Sequence, residues 1–189
     1  YIGLIGNAVY QFRNLGSKPI RTMATWLSLA NLANCAWVIL WLYEYTALSI
    51  LAMTTILFCL VRLTVLLKIG FAKQSLWSWW PISVYTGWIT VALAANISAY
   101  LAKIDWSFGL SEQGWSVAII LVATLIYLFL ILIRRLAYAG YVGVWAILAI
   151  AVKQWGEQTT IQWTAIGCCA LLFALSVYQD YQTRTKVLA

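Results

Sequence analysis

The 189-residue chain contains no histidine, and it has only five acidic residues and two prolines. Without an imidazole it cannot form a Ser-His-Asp or Cys-His catalytic arrangement or a His-containing zinc site. The commonest protein ligand of haem iron is missing for the same reason. The sequence also has no P-loop and no G-x-G-x-x-G motif. These absences predict that the protein is not an enzyme.

Charged residues are scarce, at 9% of the chain, whereas 64% of the residues are hydrophobic. Soluble domains carry about 25% charged residues, so this chain has too few polar side chains to cover a soluble globule. Long apolar runs alternate with short polar connectors, and each run is close to the roughly 20 residues that a helix needs to cross the bilayer. The pattern predicts an all-α, polytopic transmembrane helix bundle with six complete spans, at residues 22–43, 46–69, 80–102, 115–133, 136–152 and 161–178.

Two further segments border these spans. Residues 1–12 are apolar but too short to cross a bilayer, and we expect them to be the second half of an N-terminal transmembrane helix. The Trp-rich segment 73–81 (KQSLWSWWP) is predicted to lie along the membrane interface, since Trp prefers that depth. Pro81 would then occupy the first turn of the span at 80–102, where its missing N–H is not needed.

Basic residues are concentrated in every second connector and in the C-terminal tail. By the positive-inside rule, the C-terminus and the basic loops are predicted to be cytoplasmic, in a bacterial inner membrane or an organelle or thylakoid equivalent. The net charge of +7 therefore indicates topology and attraction to membrane lipid, and the dispersed charges predict no nucleic acid partner. Ten basic residues lie on the predicted cytoplasmic side: Arg13, Lys18, Arg21, Arg62, Lys68, Lys73, Arg134, Arg135, Arg184 and Lys186.

Few polar residues lie inside the spans. The four cysteines all fall there and are predicted to be buried small residues without a metal. Arg62 is the one charge well inside a span, and it either extends to the headgroups or pairs with an anion. Asn34 shares a helix face with Trp37, and Trp88, Ala92 and Asn96 recur at four-residue intervals. Such stripes serve helix packing, or they line a pocket for a flat apolar ligand.

The stretch 31–102 resembles the TspO/MBR family of translocator and tryptophan-rich sensory proteins. The segment 34–37 (NCAW) is similar to the family motif L-N-x-x-W, with Ala33 in place of the Leu. The segment 85–96 (YTGWITVALAAN) is similar to P-Y-L-x-W-x-x-F-A-x-x-L-N, although Val84 replaces the Pro. The resemblance implies that residues 1–102 correspond to family helices two to five. Residues 103–189 would be a C-terminal extension of three transmembrane helices, as in a longer TspO-related branch.

The resemblance also implies a binding or sensory protein with an intramembrane pocket for planar hydrophobic ligands. These would be tetrapyrroles of the porphyrin, haem or chlorophyll type, or sterol-like lipids, held without a His ligand. The ligand-binding residues implied by the motif are Asn34, Trp37, Tyr85, Trp88, Ala92 and Asn96.

Two other functions remain open at this point. The chain could be a structural or pigment-associated subunit of a larger membrane complex, such as a photosynthetic one, or it could assemble as a homodimer. It could also be a small-molecule transporter, although no Gly/Pro-broken helix pair stands at matching positions.

The charge pattern makes a testable prediction about topology. Single cysteines at Glu44 and at Arg134, each in a chain whose native cysteines are replaced, should react with a membrane-impermeant maleimide from opposite sides of sealed vesicles. Labelling of both positions from one side would contradict the predicted alternation of the spans.

Overall fold

The structure is a computed structural model that describes residues 2–14, 16–71, 75–106 and 109–188, with side chains described up to residue 183. Every regular element in this part of the chain is a helix, and α5 continues directly into a π-helical turn, Phe129–Ile133. The seven helices are α1 (Ile2–Arg13), α2 (Lys18–Leu42), α3 (Thr46–Leu66), α4 (Leu76–Lys103), α5 (Glu112–Leu128), α6 (Ala137–Lys153) and α7 (Thr159–Leu188).

Helix length and composition agree with a membrane bundle. Five helical segments are long and apolar enough to cross a membrane, namely Lys18–Leu42, Thr46–Leu66, Leu76–Lys103, Glu112–Ile133 and Thr159–Thr183. The remaining predicted span, at residues 136–152, corresponds to α6, which is apolar but has 17 residues. At a rise of 1.5 Å per residue it extends about 26 Å, slightly less than the hydrocarbon thickness. The predicted all-α transmembrane bundle is confirmed.

Several helices begin a few residues before the apolar runs, because polar residues cap their first turns. The side chain of Ser17 accepts a hydrogen bond from the Ile20 N–H at the start of α2 (3.4 Å). Ser111 does the same for the Gly114 N–H at the start of α5 (3.1 Å). Such caps satisfy N–H groups that have no partner within the helix.

The predicted role of Pro81 at the start of a helix is wrong. The described part of the Trp-rich segment is helical from Leu76 onward, so Pro81 lies inside α4. Residues 73 and 74 of that segment lie outside the described residues. A proline inside a helix leaves the carbonyl four residues earlier without its usual donor. Here that carbonyl belongs to Trp77, and it accepts a hydrogen bond from another helix instead, as described below.

The chain forms two compact units, Tyr1–Asn96 and Ile97–Ala189. The first unit contains α1, α2, α3 and most of α4, and its fully buried side chains include Met23, Met53, Ile56 and Leu60. The predicted division at residue 102, into a family region and an extension, remains a prediction.

In the second unit, small residues allow α5, α6 and α7 to approach closely. A Cβ added at Gly143 of α6 would lie 2.7 Å from ring atoms of Tyr127 on α5, so only a glycine fits beneath that ring. Gly140 faces Ile131 and Ser176 in the same way, and the Cys169 thiol of α7 contacts the Val144 carbonyl (3.4 Å). These contacts are the small-residue helix packing that is common in membrane proteins.

Four helix ends place a residue other than glycine in the left-handed region. These residues are Glu44, Lys68, Asp105 and Arg135, with φ of 59°, 52°, 54° and 54°. After three of the helices, the next N–H bonds back to the carbonyl five residues earlier, which closes a Schellman motif. The bonds are Tyr45 to Leu40 (2.9 Å), Ile69 to Thr64 (2.9 Å) and Trp106 to Leu101 (3.0 Å).

Because this conformation is strained for any residue with a Cβ, Lys68→Gly should stabilise the fold by about 1 kcal/mol. For a chain of this size, that corresponds to a rise in Tm of about 2–4 °C, measured by thermal unfolding in detergent micelles. Gly156 has φ of 78° at the end of α6, and Gly156→Ala is the matched opposite change, which should lower the Tm. A lower Tm for Lys68→Gly would show that its charge or stem matters more than the backbone strain.

Candidate intramembrane pocket

The first unit contains a cavity of about 610 Å³ that is partly open to its surroundings. All four of its helices contribute to the wall, and no charged side chain is among the described residues that line it. The lining consists of Ile2, Gly3 and Leu4 from α1, Asn31, Asn34 and Trp37 from α2, Met53 from α3, and Trp80, Pro81, Val84, Tyr85, Trp88, Ile89 and Ala92 from α4.

Helix α2 supplies the polar part of the wall. Asn31, Asn34 and Trp37 follow one another at three-residue intervals, which keeps them on one side of the helix. The Trp37 Nε1 atom is buried and has no hydrogen-bond partner among the described residues. Its ring stacks on Trp41 with the centroids 6.4 Å apart, so the N–H is held in one direction. The ring therefore contributes mainly apolar surface to the wall, because the buried N–H presents almost no surface to the cavity.

Helix α4 supplies the aromatic part of the wall. Trp80, Val84, Trp88 and Ala92 recur every four residues, with Tyr85 beside them. Ala92 is the smallest side chain in this stripe and leaves space where the three aromatic rings do not reach. The arrangement combines flat apolar surfaces with a few polar groups, which is typical of small-molecule sites.

Five of the six residues predicted for the ligand site line this one cavity, and Asn96 does not. Asn96 lies one helical turn beyond Ala92, the last residue of α4 in the lining, so it has passed the end of the cavity along the helix axis. It is 3% exposed, and its Oδ1 accepts a hydrogen bond from the Ser49 hydroxyl of α3 (3.1 Å). Asn96 therefore connects two helices behind the wall, and the ligand-binding role of the other five remains a prediction.

Sequence reasoning missed the contribution of α1. Gly3 and Gly6 lie against the Trp-rich start of α4: a Cβ on Gly3 would come within 2.8 Å of the Trp80 ring, and Gly6 faces the ring of Trp77. Asn7, on the same face, donates from Nδ2 to the Trp77 carbonyl (2.6 Å). A polar amide in the apolar run 1–12 was the one available signal, because an Asn in hydrocarbon needs a partner.

Two other polar residues are placed differently from the expectations. The Arg62 guanidinium lies 5.9 Å from the ring centroid of Trp26 on α2, a cation–π contact that neither interpretation of Arg62 included. Cys35 is exposed on α2, so the prediction that all four cysteines are buried is wrong for this one. It lies on a face of α2 that the described chain does not cover. The described residues contain no group of three potential metal-ligating side chains.

Comparisons of the chain with curated proteins and with solved structures returned no match. A family model described as TSPO-like protein matches residues 1–178, which include the first compact unit with the complete lining of the cavity and most of the second unit. The match extends well beyond the stretch 31–102 that carries the sequence motifs, and it confirms the resemblance. With its helical spans, the chain is an integral multi-pass membrane protein that belongs to the TSPO-like protein family.

Proposed function

We propose that this protein binds a flat, hydrophobic small molecule in the cavity of its first unit, and that it acts as a binding or sensory protein rather than as an enzyme. The observation that carries the proposal is that one cavity is lined both by the aromatic stripe of α4 and by the amide-bearing face of α2. A planar ligand would stack on the first and form hydrogen bonds with the second.

The size and chemistry of the cavity support this ligand class. Its volume of about 610 Å³ lies within the range of about 300–1,000 Å³ that small-molecule sites occupy. Trp80, Tyr85 and Trp88 offer aromatic surface, and the Asn31 and Asn34 amides offer directional polar contacts. A porphyrin-type tetrapyrrole or a sterol-like lipid meets these requirements.

The lining also limits how a tetrapyrrole would bind. The chain has no histidine, so stacking and shape would hold the macrocycle. Since no charged side chain lines the cavity, ionised carboxylates would remain outside it or at its rim.

The proposed orientation, with the C-terminus in the cytoplasm, rests on the distribution of basic residues alone.

Binding can be followed by titrating the purified full chain with protoporphyrin and measuring quenching of Trp fluorescence. Trp88→Ala should weaken binding about 10-fold, because it removes a ring face from the cavity wall. Trp163→Ala is the matched control: Trp163 lies in α7 of the second unit and is 62% exposed. It should change the total fluorescence but leave the dissociation constant unchanged.

A second variant tests the space in the cavity instead of the stacking. Ala92→Phe should occlude the space beside Trp88 and abolish saturable quenching, whereas Ala95→Phe, on the same helix but exposed and outside the lining, should bind normally. Binding that is saturable and unaffected by both Trp88→Ala and Ala92→Phe would exclude this cavity as the site.

Assembly is a separate proposal. A homodimer or a larger membrane complex would be seen as a stoichiometric assembly after isolation in mild detergent. Transport would be seen as ligand uptake into sealed vesicles. Assembly or transport could each accompany ligand binding in the first unit. If neither porphyrin nor sterol binds, assembly or transport would be favoured over the binding role.

A further inference from the structure

A proline in α4 leaves one backbone carbonyl without its helical partner. In a regular helix the N–H of residue 81 would bond to the carbonyl of Trp77, but Pro81 has no N–H. In a membrane protein such a carbonyl needs another donor, since hydrocarbon offers none. The donor is Asn7 of α1, whose Nδ2 lies 2.6 Å from the Trp77 oxygen.

The Asn7 amide is fully occupied at a junction of three helices. Its Nδ2 also contacts the Met23 sulfur of α2 (3.3 Å), and its Oδ1 accepts a hydrogen bond from Gln11 Nε2 (2.6 Å). The side chain is 1% exposed. The amide nitrogen therefore connects α1 to α2 and α4, while the bond to the oxygen, within α1, fixes the orientation of the amide.

The rest of the contact between α1 and α4 has little to hold it in place. Gly3 and Gly6 lie against the rings of Trp80 and Trp77, and a glycine has no side chain to interdigitate with a neighbour. Close apolar contact of this kind fixes the distance between two helices better than it fixes their register. The hydrogen bond from Asn7 to Trp77 is directional, so it sets the position of α1 along α4.

The position of α1 matters because α1 forms one wall of the cavity. Its residues Ile2, Gly3 and Leu4 line the cavity opposite α2, and Trp80 and Pro81, directly after the bonded carbonyl, line it as well. A shift of α1 relative to α4 would widen the cavity where these two helices meet.

We propose that Asn7 is a positioning residue that holds α1 in place as one wall of the cavity, and that release of its bond to the Trp77 carbonyl widens access to the cavity. The identity of the ligand rests on the proposed function, but the effect of Asn7 on access does not. Asn7 is not among the residues that line the cavity, so it acts on the cavity through the position of α1.

The experiment measures access directly, without a ligand. Val84→Cys places a thiol in the lining, in a full-length chain whose four native cysteines are replaced by alanine, and its rate of alkylation by N-ethylmaleimide is followed. Asn7→Leu should raise this rate about 3- to 20-fold, the range expected for the loss of one hydrogen bond between membrane helices. The same rate measured at Ala95→Cys, which is exposed outside the cavity, should not change.

A second background separates positioning from simple packing. Pro81→Ala restores an N–H that can bond to the Trp77 carbonyl within α4, so the Asn7 donor is no longer required there. In that background Asn7→Leu should change the alkylation rate less than about 2-fold. An equal increase in both backgrounds, or no increase in either, would overturn the proposal.

Two further arms cover the remaining outcomes. If Asn7→Leu does not fold, Gly6→Ala replaces it, because the added methyl must displace the Trp77 ring and should raise the rate in the same direction. Protoporphyrin titration of the same variants gives the second readout, with weaker binding expected for Asn7→Leu. If alkylation depends on Asn7 as stated but the unmodified chain binds no protoporphyrin, the proposed ligand class fails and the positioning role stands.

Discussion

The constraint on which the first unit depends is that backbone polar groups inside a membrane must find their partners within the protein. Pro81 breaks the helical pattern in α4 and leaves the Trp77 carbonyl without an N–H from its own helix. Asn7 supplies the donor from a helix 70 positions away in sequence. The repair of one backbone group therefore attaches α1 to the bundle and completes the wall of the cavity.

The chemistry of the cavity follows from what the chain lacks as much as from what it contains. With no histidine in the chain and no charged side chain among the described residues of the lining, the site offers aromatic surfaces and amides. Such groups hold a ligand by shape, stacking and hydrogen bonds, and they do not supply a general base or a charged nucleophile. Membership of the TSPO-like family agrees with a membrane protein of this kind.

The helix ends show a second constraint, which concerns the sign of charge. The left-handed residues after α2 and α4 are acidic, Glu44 and Asp105, whereas those after α3 and α5 are basic, Lys68 and Arg135. A helix C-terminus favours a cation by about 0.3–1 kcal/mol, so the two acids gain nothing from the helix dipole. The two basic residues are among those from which the cytoplasmic side was predicted, so the sign at each end is consistent with that predicted topology.

Much of the architecture could be read from the sequence. Apolar run length predicted most of the helices to within a few residues, since the membrane thickness imposes one scale on every span, but α7 continues to Leu188, well past the predicted end of its span at residue 178. The four-residue recurrence of Trp88 and Ala92 identified the face of α4 that lines the cavity. The same recurrence was misleading for Asn96, because periodicity identifies a helix face but not how far along the axis a cavity extends, and Asn96 lies one turn past Ala92, where it bonds to Ser49.

The amino-acid sequence alone therefore predicts the set of helices, the alternation of charge between their connectors and the residues that share a face on each helix. These properties depend on short-range periodicity in the sequence and on the fixed thickness of the bilayer. Three features became visible only in the folded structure. These are the completion of the cavity by α1 and Met53, the position of Pro81 inside a helix, and the hydrogen bond from Asn7 to the Trp77 carbonyl. Those features depend on which helix faces which, and periodicity within one helix carries no information about its neighbours.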